Sequence, residues 1–354
     1  MPTLYITEPG SQVHKSNNRL IIKNGKETLE AIPITKIDQV VLMGRGVSVT
    51  TAALHALTRR GIGIVYLTGT GGYVSRMTGP EHKHSRLRFQ QAQWVSRREI
   101  ALETARSIVH GKILNQRTLV QRHAKQGRWA KRALVGMGTM AERAKNARSV
   151  EELRGLEGQG AKEYFGLLRQ MLRPPEDGGS WRFERRAYYP PPDPVNALLS
   201  FAYTLLLRDL VTACELAGLD PYLGCLHEID YGRPSMALDL IEEFRPIIAD
   251  SIVLFVVNRP MVRLSDFKEV PFKKKVDARE MPEDILDTGK RSVFLTGEAK
   301  KDFLAAFEHR VNELVYYPGS GEKRKYRDVF QLQVYQMTRV IMGEEKRYTP
   351  FVVR

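Results

Sequence analysis

Cysteine is scarce in this chain: only Cys214 and Cys225 occur among 354 residues. They form no Cys-x-x-Cys pair, so their spacing indicates neither a disulfide framework nor a thiolate zinc site. Residues 1–7 lack the basic start and the apolar run of a signal peptide. No uninterrupted apolar run approaches the ~20 residues that a membrane-spanning helix needs. We therefore expect a reduced, cytoplasmic protein with no membrane segment.

Acidic residues are outnumbered by basic ones. Lysine and arginine total 55 against 40 aspartates and glutamates, which gives a formal net charge of +15 at pH 7. Such an excess attracts polyanions, and nucleic acid is the commonest polyanion inside a cell. Basic enzymes without a nucleic-acid ligand also occur, so the charge favours nucleic-acid binding without establishing it.

The basic residues are clustered. Lysine and arginine neutralise backbone phosphates, and neighbouring aromatics such as Trp181 and Phe183 offer surfaces on which bases stack. A single charge run is more often a solvated surface, but four runs in one chain predict a distributed DNA contact. The runs lie at residues 82–88, 182–186, 273–275 and 323–325, and the arginines selected from them are Arg86, Arg88, Arg185 and Arg186.

The order of hydrophobic patterns predicts an α+β protein. Residues 1–77 read as a β-rich domain, with Asn24-Gly25 as a type I′ hairpin turn. A glycine-rich stretch at residues 69–80 suggests the boundary, and residues 78–97 are interpreted as a linker and the start of the first helix. Residues 98–354 are predicted to form an all-α-helical catalytic domain.

Within that second domain the helical signals differ in strength. Residues 116–148 are rich in arginine and lysine and carry three glycines, so a helix pair is only one interpretation of them. Pro246 should kink or divide the helix that contains it. The stronger signals cover residues 195–217, 235–258, 300–315 and 326–342.

An acidic helix face offers the first sign of chemistry. Asp239, Glu242 and Glu243 stand at i, i+3 and i+4, so they share one face of a predicted helix. Ser235 is the predicted N-cap of this helix. Like charges at this spacing repel by a few tenths of a kcal/mol, and a bound cation relieves the repulsion. The alternative is an acidic face that is merely solvated.

Two further residues complete a candidate metal site. His227 follows an apolar lead-in, where a lone histidine is more often part of the core. Glu157 lies among Gly155, Gly158 and Gly160, and by itself this stretch also fits a flexible turn ahead of a helix. Two carboxylates and one imidazole suit Mg²⁺ or Mn²⁺ better than zinc. Such a metal can bind a phosphate oxygen and activate a hydroxyl nucleophile.

Several motifs together resemble one known family. They are the Gly-x-Glu-Gly-x-x-Ala block around Glu157, residues 193–200, Leu-His at 226–227, Asp-Leu-Ile-Glu-Glu-Phe-Arg-Pro at 239–246, and the ending at 348–351. In this order and spacing the chain closely resembles the CRISPR-associated integrase, the nuclease that inserts new spacers during adaptation. The resemblance covers nearly the whole chain.

The resemblance implies roles for individual residues. Glu157, His227 and Glu242 match the metal ligands of the family, and Asp239 matches an acidic position beside the metal. Arg245 and Lys301 resemble basic positions that bind the DNA backbone. Asp230 and Glu243, which spacing alone leaves open as ligands, become second choices.

The resemblance also implies an activity and partners. The family forms a homodimer through its β domains, and two dimers flank a small ferredoxin-fold partner that helps to hold a double-stranded spacer precursor. The 3′-hydroxyl ends attack repeat DNA by transesterification, without ATP. A partner exonuclease that trims the ends is left open. The alternatives are a non-catalytic DNA-architectural subunit and a junction-resolving or repair nuclease with the same metal site.

Overall fold

The computed structural model describes residues 3–68, 73–77, 84–123, 128–187, 190–275 and 285–353. The chain divides into two compact units, Met1–His84 and Ser85–Arg354. Strands dominate the first unit and helices the second. This arrangement confirms the predicted α+β class.

Two four-stranded sheets and one helix make up the described part of the first unit. One sheet has the order β1-β5-β7-β8 and the other β4-β3-β2-β6. Apolar side chains between them, such as Leu20, Val40 and Ile64, are fully buried. The elements are β1 Thr3–Ile6, β2 Gln12–Ser16, β3 Arg19–Asn24, β4 Glu27–Pro33, β5 Gln39–Met43, β6 Ser48–Val49, α1 Thr51–Thr58, β7 Gly63–Leu67 and β8 Tyr73–Met77.

The predicted hairpin between β3 and β4 forms, but its turn is not type I′. Asn24 pairs with Glu27, so Gly25 and Lys26 are the two loop residues. Only Gly25 has a positive φ, 58°, whereas a type I′ turn needs positive φ at both central positions. The pairing therefore places the glycine one position earlier in the turn than the sequence suggested.

The described part of the second unit is mainly helical. Its longest apolar helix begins at Pro194, after Asp193 accepts a hydrogen bond from the backbone N–H of Asn196, and ends at Gly218 with φ 82°. The helices are α2 Ser85–Ser96, α3 Arg98–His123, α4 Arg128–Lys145, α5 Val150–Met171, α6 Pro194–Ala217, α7 Ser235–Ile241, α8 Ser251–Asn258, α9 Gly297–Asn312 and α10 Tyr326–Met342.

The prediction of an all-helical second domain was wrong in two places. The strands β9 Phe267–Lys275 and β10 Ile285–Leu295 form one antiparallel hairpin, and β11 Leu314–Tyr317 and β12 Glu322–Lys325 form another. The helix predicted over residues 300–315 ends at Asn312, where β11 takes over. The strands were not predicted because β9 and β12 carry runs of basic residues. A two-stranded hairpin does not need the regular alternation of apolar and polar residues that indicates a half-buried sheet.

The predicted turn around Glu157 and the predicted N-cap at Ser235 were wrong, whereas the predicted break at Pro246 was right. The glycines around Glu157 lie inside α5, which begins after Ser149 accepts a hydrogen bond from Glu152 N–H at 3.1 Å. The helix predicted over residues 235–258 is divided: a π-helical segment, Arg245–Asp250, separates α7 from α8. Pro246 lacks the N–H that regular α-helical pairing requires, so the predicted break is confirmed. Ser235 is the first residue of α7 and not its N-cap; its hydroxyl donates to Glu228 O at 2.8 Å.

The helix α6 is long and apolar enough to cross a membrane by length and composition alone. However, 72% of the most apolar 18-residue stretch of this helix is buried inside the protein, as in the core helix of a globular domain. A helix was predicted over residues 195–217, but not as an apolar stretch of membrane-spanning length, because Arg208 and Asp209 interrupt its apolar residues.

Candidate metal centre

The three predicted metal ligands come from separate segments of the second unit. Glu157 lies on α5, His227 on the loop between α6 and α7, and Glu242 directly after α7. Arg154 fastens the His227 loop to α5, because its guanidinium donates to Leu226 O at 2.8 and 3.0 Å. The fold therefore brings three segments that are distant in sequence to one place.

The amino group of Lys112, on α3, lies between the two predicted carboxylate ligands. Its Nζ contacts Oε1 of Glu157 and stands 2.5 Å from Oε2 of Glu242. Lys112 and Glu242 are both buried, 6% and 2% exposed. Burial lowers the pKa of Lys112, but the charges of Glu242 and Glu157 outweigh it and raise the pKa above its usual value. The two carboxylates thus share one buried cation.

Glu242 is held in its ionised form. Burial raises the pKa of its carboxyl group, but the charges of Arg245, Lys112 and His227 lower it to about 2. Arg245 Nη1 lies 2.9 Å from Oε1 of Glu242. Glu242 is therefore an anion throughout the neutral range and can act as a cation ligand.

Asp239 holds His227 in place. Its carboxylate accepts hydrogen bonds from the backbone N–H groups of Cys225, Leu226 and His227 at 2.5, 2.9 and 2.8 Å. Its Oδ1 also lies 2.7 Å from Nδ1 of His227. A carboxylate on Nδ1 leaves Nε2 as the metal-binding nitrogen, which is the usual arrangement of a ligating histidine. Asp239 is completely buried.

Gly224 makes room for this arrangement, and the sequence reasoning overlooked it. A Cβ atom at this position would lie 2.5 Å from the carbonyl carbon of Ser235 and 2.6 Å from Oδ2 of Asp239. Neither neighbour is the free end of a flexible side chain. Only glycine allows the chain to pass this close to the Asp239 carboxylate.

The donor set of this site fits a hard divalent cation such as Mg²⁺ or Mn²⁺. Oε2 of Glu242 accepts no aligned hydrogen bond, although Lys112 is close. Nε2 of His227 lies 3.7 Å from Oε1 of Glu242. Within the described residues, no three His, Cys, Asp or Glu side chains are gathered tightly enough to hold an ion. The two carboxylates that would hold such an ion are both paired with the ammonium group of Lys112.

The two second-choice ligands lie elsewhere. Glu243 is fully buried and accepts hydrogen bonds from Tyr348 Oη at 2.7 Å, Phe351 N–H at 2.7 Å and Gln333 Nε2 at 3.2 Å. Burial raises its pKa to about 8, although these hydrogen bonds lower it in part. Asp230 is exposed and accepts from the N–H of Tyr231. Glu243 thus anchors residues 348–351.

The predicted DNA-binding residues are divided between the site and the surface. Arg245 contacts Glu242, and Arg186 donates to Asn196 Oδ1 and Ser200 Oγ at 2.9 and 3.1 Å. Lys301 pairs with Glu298 on its own helix at 2.9 Å. The other three are in α2 or in the loop before α6: Arg86 and Arg185 are exposed, and Arg88 is half-buried.

Lys112 itself was missed, although the sequence carried a signal for it. Its neighbours on α3, Ile108, Val109 and Ile113, are all buried. A lysine in the middle of an apolar helix face is unusual and needs a buried partner. Its partners, Glu157 on α5 and Glu242 directly after α7, are distant in the sequence. The residue pattern of one helix therefore cannot reveal them.

The protein thus combines a small β-rich unit with a mainly helical unit that carries buried carboxylates, a carboxylate-held histidine and neighbouring cations. The family described as CRISPR associated protein Cas1 matches residues 4–309. The chain therefore belongs to the Cas1 family, and the family predicted from the motifs is confirmed.

Individual relatives agree with this assignment. CRISPR-associated endonuclease Cas1 3 of Thermus thermophilus is 36% identical over 99% of this chain and 97% of the relative. A Cas4 exonuclease/Cas1 endonuclease fusion of Geobacter sulfurreducens is 35% identical over 99% of this chain and 60% of the fusion. A chain of a Cas6-RT-Cas1–Cas2 complex matches the fold with a TM-score of 0.78 at 22% identity, over 99% of this chain and 36% of that chain.

Proposed function

We propose that this protein is a divalent-metal-dependent DNA integrase and endonuclease of CRISPR adaptation. It joins the 3′-hydroxyl ends of spacer precursors to repeat DNA. The observation that carries the proposal is that Glu157 and Glu242, from two separate segments, contact the same buried cation, and that Nε2 of His227, from a third segment, lies 3.7 Å from Glu242. The family membership supports the same activity, since its curated relatives are named CRISPR-associated endonucleases.

The residues of the site have distinct roles in this chemistry. Glu157, His227 and Glu242 would hold Mg²⁺ or Mn²⁺, which supplies Lewis-acid stabilisation of the phosphate when bound. Asp239 keeps His227 oriented with Nε2 toward the ligand position. Arg245 and Lys112 place positive charge where negative charge grows on the phosphate oxygens.

The joining step needs no external energy source. The oxygen of the incoming 3′-hydroxyl forms a bond to the phosphorus of the repeat strand, and the bond from that phosphorus to its own 3′-oxygen breaks. The hydroxyl proton ends on the departing oxygen, so one phosphodiester replaces another. Water in place of the 3′-hydroxyl gives the endonuclease reaction by the same route.

The proposed assembly has several components. We propose a homodimer formed through the β-rich unit, a small ferredoxin-fold partner and a cytoplasmic location. The solved complex that shares this fold names a Cas2 component, and the Geobacter sulfurreducens relative joins a Cas4 exonuclease to Cas1 in one chain. The complex supports a protein partner in the assembly, and the fusion supports an exonuclease partner, to which we assign the trimming of the DNA ends.

Strand joining tests the proposal. A labelled duplex with free 3′-hydroxyls is incubated with repeat DNA in Mn²⁺, Mg²⁺ or EDTA, with and without the small partner. We expect joining only with metal, and a loss of at least about a hundredfold in Glu242→Ala and His227→Ala, since even residues that orient a metal ligand cost 10- to 100-fold. Glu163→Ala, exposed on the same helix as Glu157, is the matched control.

The same assay distinguishes the alternatives. Wild-type joining rates in both variants would refute the metal assignment. Tight DNA binding without joining or nicking in any metal would indicate an architectural subunit. Faster cleavage of branched DNA than of repeat DNA would indicate a junction-resolving or repair nuclease.

A further inference from the structure

Residues 348–353, the 348–353 segment, pack against the helix α3, although the proposed chemistry does not use them. Three side chains of this segment are buried, those of Tyr348, Phe351 and Val353. The closest approach to α3 is at Pro350: a Cβ atom at Gly111 would lie 2.4 Å from Cβ and 2.8 Å from Cγ of this proline. Glycine at position 111 therefore lets the proline ring rest on the helix next to the residue that precedes Lys112.

Asn115 links the 348–353 segment to the chain directly after α7. It follows Lys112 by three residues on α3, so the two side chains share one face of the helix. Its Nδ2 donates to Glu243 O at 2.7 Å and to Phe351 O at 2.8 Å. Its Oδ1 accepts from the N–H of Val353 at 2.9 Å. One completely buried amide thus joins three separate segments of the chain.

The same segment holds the two residues that follow Glu242. The carboxylate of Glu243 accepts hydrogen bonds from Tyr348 Oη and Phe351 N–H, both at 2.7 Å. The ring of Phe244 stacks on that of Phe351, with the centroids 6.0 Å apart and the planes at 21°. The chain after Glu242 is therefore fixed through a carbonyl, a carboxylate and a ring. A satisfied buried network of this kind makes its members rigid.

We propose that Asn115 and the 348–353 segment are positioning residues of the metal centre, which fix Glu242 relative to Lys112. The inference rests on the proposed function, because it takes Glu242 as a metal ligand. Lys112 comes from the helix that the segment packs against, and Glu242 comes from the chain that the segment holds. A metal site tolerates only small shifts of its ligands, so a displaced segment weakens metal binding through the backbone of these two elements.

A steric clash and its relief test this inference. Gly111→Ala places a methyl group against the ring of Pro350, so the segment must move away from α3. Pro350→Gly removes both of the side-chain atoms that this methyl group would meet. The dissociation constant of Mn²⁺ is measured by electron paramagnetic resonance, on proteins shown to be folded by circular dichroism.

The two substitutions should be strongly non-additive. We expect Gly111→Ala to bind Mn²⁺ about tenfold more weakly, as when a residue that orients a metal ligand is changed. The double variant Gly111→Ala/Pro350→Gly should return to within about threefold of the wild type, because the two positions are in direct contact. A segment with a merely structural role would lower the stability of Gly111→Ala and leave the Mn²⁺ affinity of the folded protein unchanged.

Amide hydrogen exchange in EDTA measures the positioning without any metal. In Gly111→Ala, a peptide covering residues 239–248 should exchange about tenfold faster, because the overpacked contact loosens the chain around Glu242. Tyr348→Phe keeps the ring but loses the hydrogen bond to Glu243, so exchange of this peptide should rise about fivefold and Mn²⁺ affinity should fall by a similar factor. If Gly111→Ala does not fold, this milder variant decides by the same two measurements.

Matched controls change the same residue types elsewhere in the unit. Gly136→Ala adds a methyl group on α4, where nothing lies within 4 Å. Tyr335→Phe removes an exposed hydroxyl group from α10. Both variants should match the wild type in Mn²⁺ affinity and in exchange of the 239–248 peptide.

Two results overturn the inference: wild-type Mn²⁺ affinity in folded Gly111→Ala, or a double variant that binds Mn²⁺ no better than Gly111→Ala alone. A wild-type protein that binds no Mn²⁺ but shows the exchange effects refutes the proposed function and leaves the positioning of Glu242 standing. A protein that joins DNA in Mn²⁺ but shows neither the affinity effect nor the exchange effect refutes the positioning alone.

Discussion

Nδ1 of His227 lies 2.7 Å from Oδ1 of Asp239, and the same carboxylate accepts three backbone N–H groups of residues 225–227. Four donors thus converge on one buried acid. The contact fixes the rotation of the imidazole and the path of the main chain together. Asp239 consequently acts through His227, and its loss should appear in metal binding before it appears in folding.

Asp239→Asn tests this relationship. The amide nitrogen of asparagine cannot accept a hydrogen bond, so either His227 Nδ1 or a backbone N–H loses its acceptor. We expect Mn²⁺ affinity, measured by isothermal titration calorimetry, to fall by about 10- to 100-fold. Asp230→Asn, on the same loop but exposed, should bind Mn²⁺ like the wild type. Unchanged Mn²⁺ affinity in Asp239→Asn would remove Asp239 from the site.

Lys112→Met tests the shared cation. Without the ammonium group, Glu157 and Glu242 face each other with no buried counter-charge between them. We expect the free energy of unfolding in EDTA, measured with urea, to fall by about 3 kcal/mol, as when one partner of a buried ion pair is removed. Millimolar Mn²⁺ should restore most of the loss, because a divalent cation bound by the two carboxylates would supply the missing counter-charge.

The control for that experiment is Lys145→Met, whose exposed lysine pairs with Glu142 on α4. An exposed ion pair contributes at most about 1 kcal/mol, and Mn²⁺ should not affect this variant differently from the wild type. A Lys112→Met protein that is as stable as the wild type in EDTA would show that the carboxylates do not depend on Lys112.

Gly224→Ala tests the close approach to Asp239. The added methyl group would meet the Ser235 backbone and the Asp239 carboxylate, so the loop that carries His227 must shift relative to α7. We expect a loss of stability of about 2 kcal/mol, comparable with overpacking a core, together with weaker Mn²⁺ binding. Gly155→Ala on α5, where nothing lies within 4 Å, should instead gain up to about 1 kcal/mol. Wild-type stability and Mn²⁺ affinity in Gly224→Ala would contradict the prediction.

Asp250→Asn tests a pH dependence. Burial raises the pKa of Asp250 from 3.8 to about 6 in the folded protein. Between these values the unfolded chain releases its proton first, so this group makes the folded state less stable as pH rises from about 4 to 6. The unfolding free energy of the wild type relative to Asp250→Asn should therefore fall by about 3 kcal/mol across that range, roughly 1.4 kcal/mol for each pH unit.

Urea unfolding at pH 4, 5, 6 and 7 measures this difference. Asp302→Asn, exposed on α9, should follow the wild-type curve at every pH. A difference between the wild type and Asp250→Asn that does not change with pH would show that Asp250 keeps its ordinary acidity in the fold.

Sequence patterns predicted the parts of this protein that depend on local chemistry. The helix α10 begins and ends where the apolar spacing predicts, and Asp239 on α7 and Glu242 directly after it both lie beside His227. Patterns could not predict what distant segments supply. Glu243 follows Glu242 directly in the sequence, but its carboxylate accepts hydrogen bonds from Tyr348 and Phe351 and lies outside the site. The glycines around Glu157 suggested a turn, whereas the Ser149 cap and the packing of Leu153 and Leu156 extend the helix through them.

Residues 348–353 pack against Asn115 and Glu243, so translation has to reach them before this part of the core can form. Asn115 Nδ2 donates to Glu243 O and Phe351 O at 2.7 and 2.8 Å, and its Oδ1 accepts from Val353 N–H at 2.9 Å. A ribosome that has translated as far as α10 has already released every predicted metal ligand, but not the Tyr348 and Phe351 groups that satisfy Glu243. The buried surroundings of Glu243 can therefore be completed only after translation has passed residue 353.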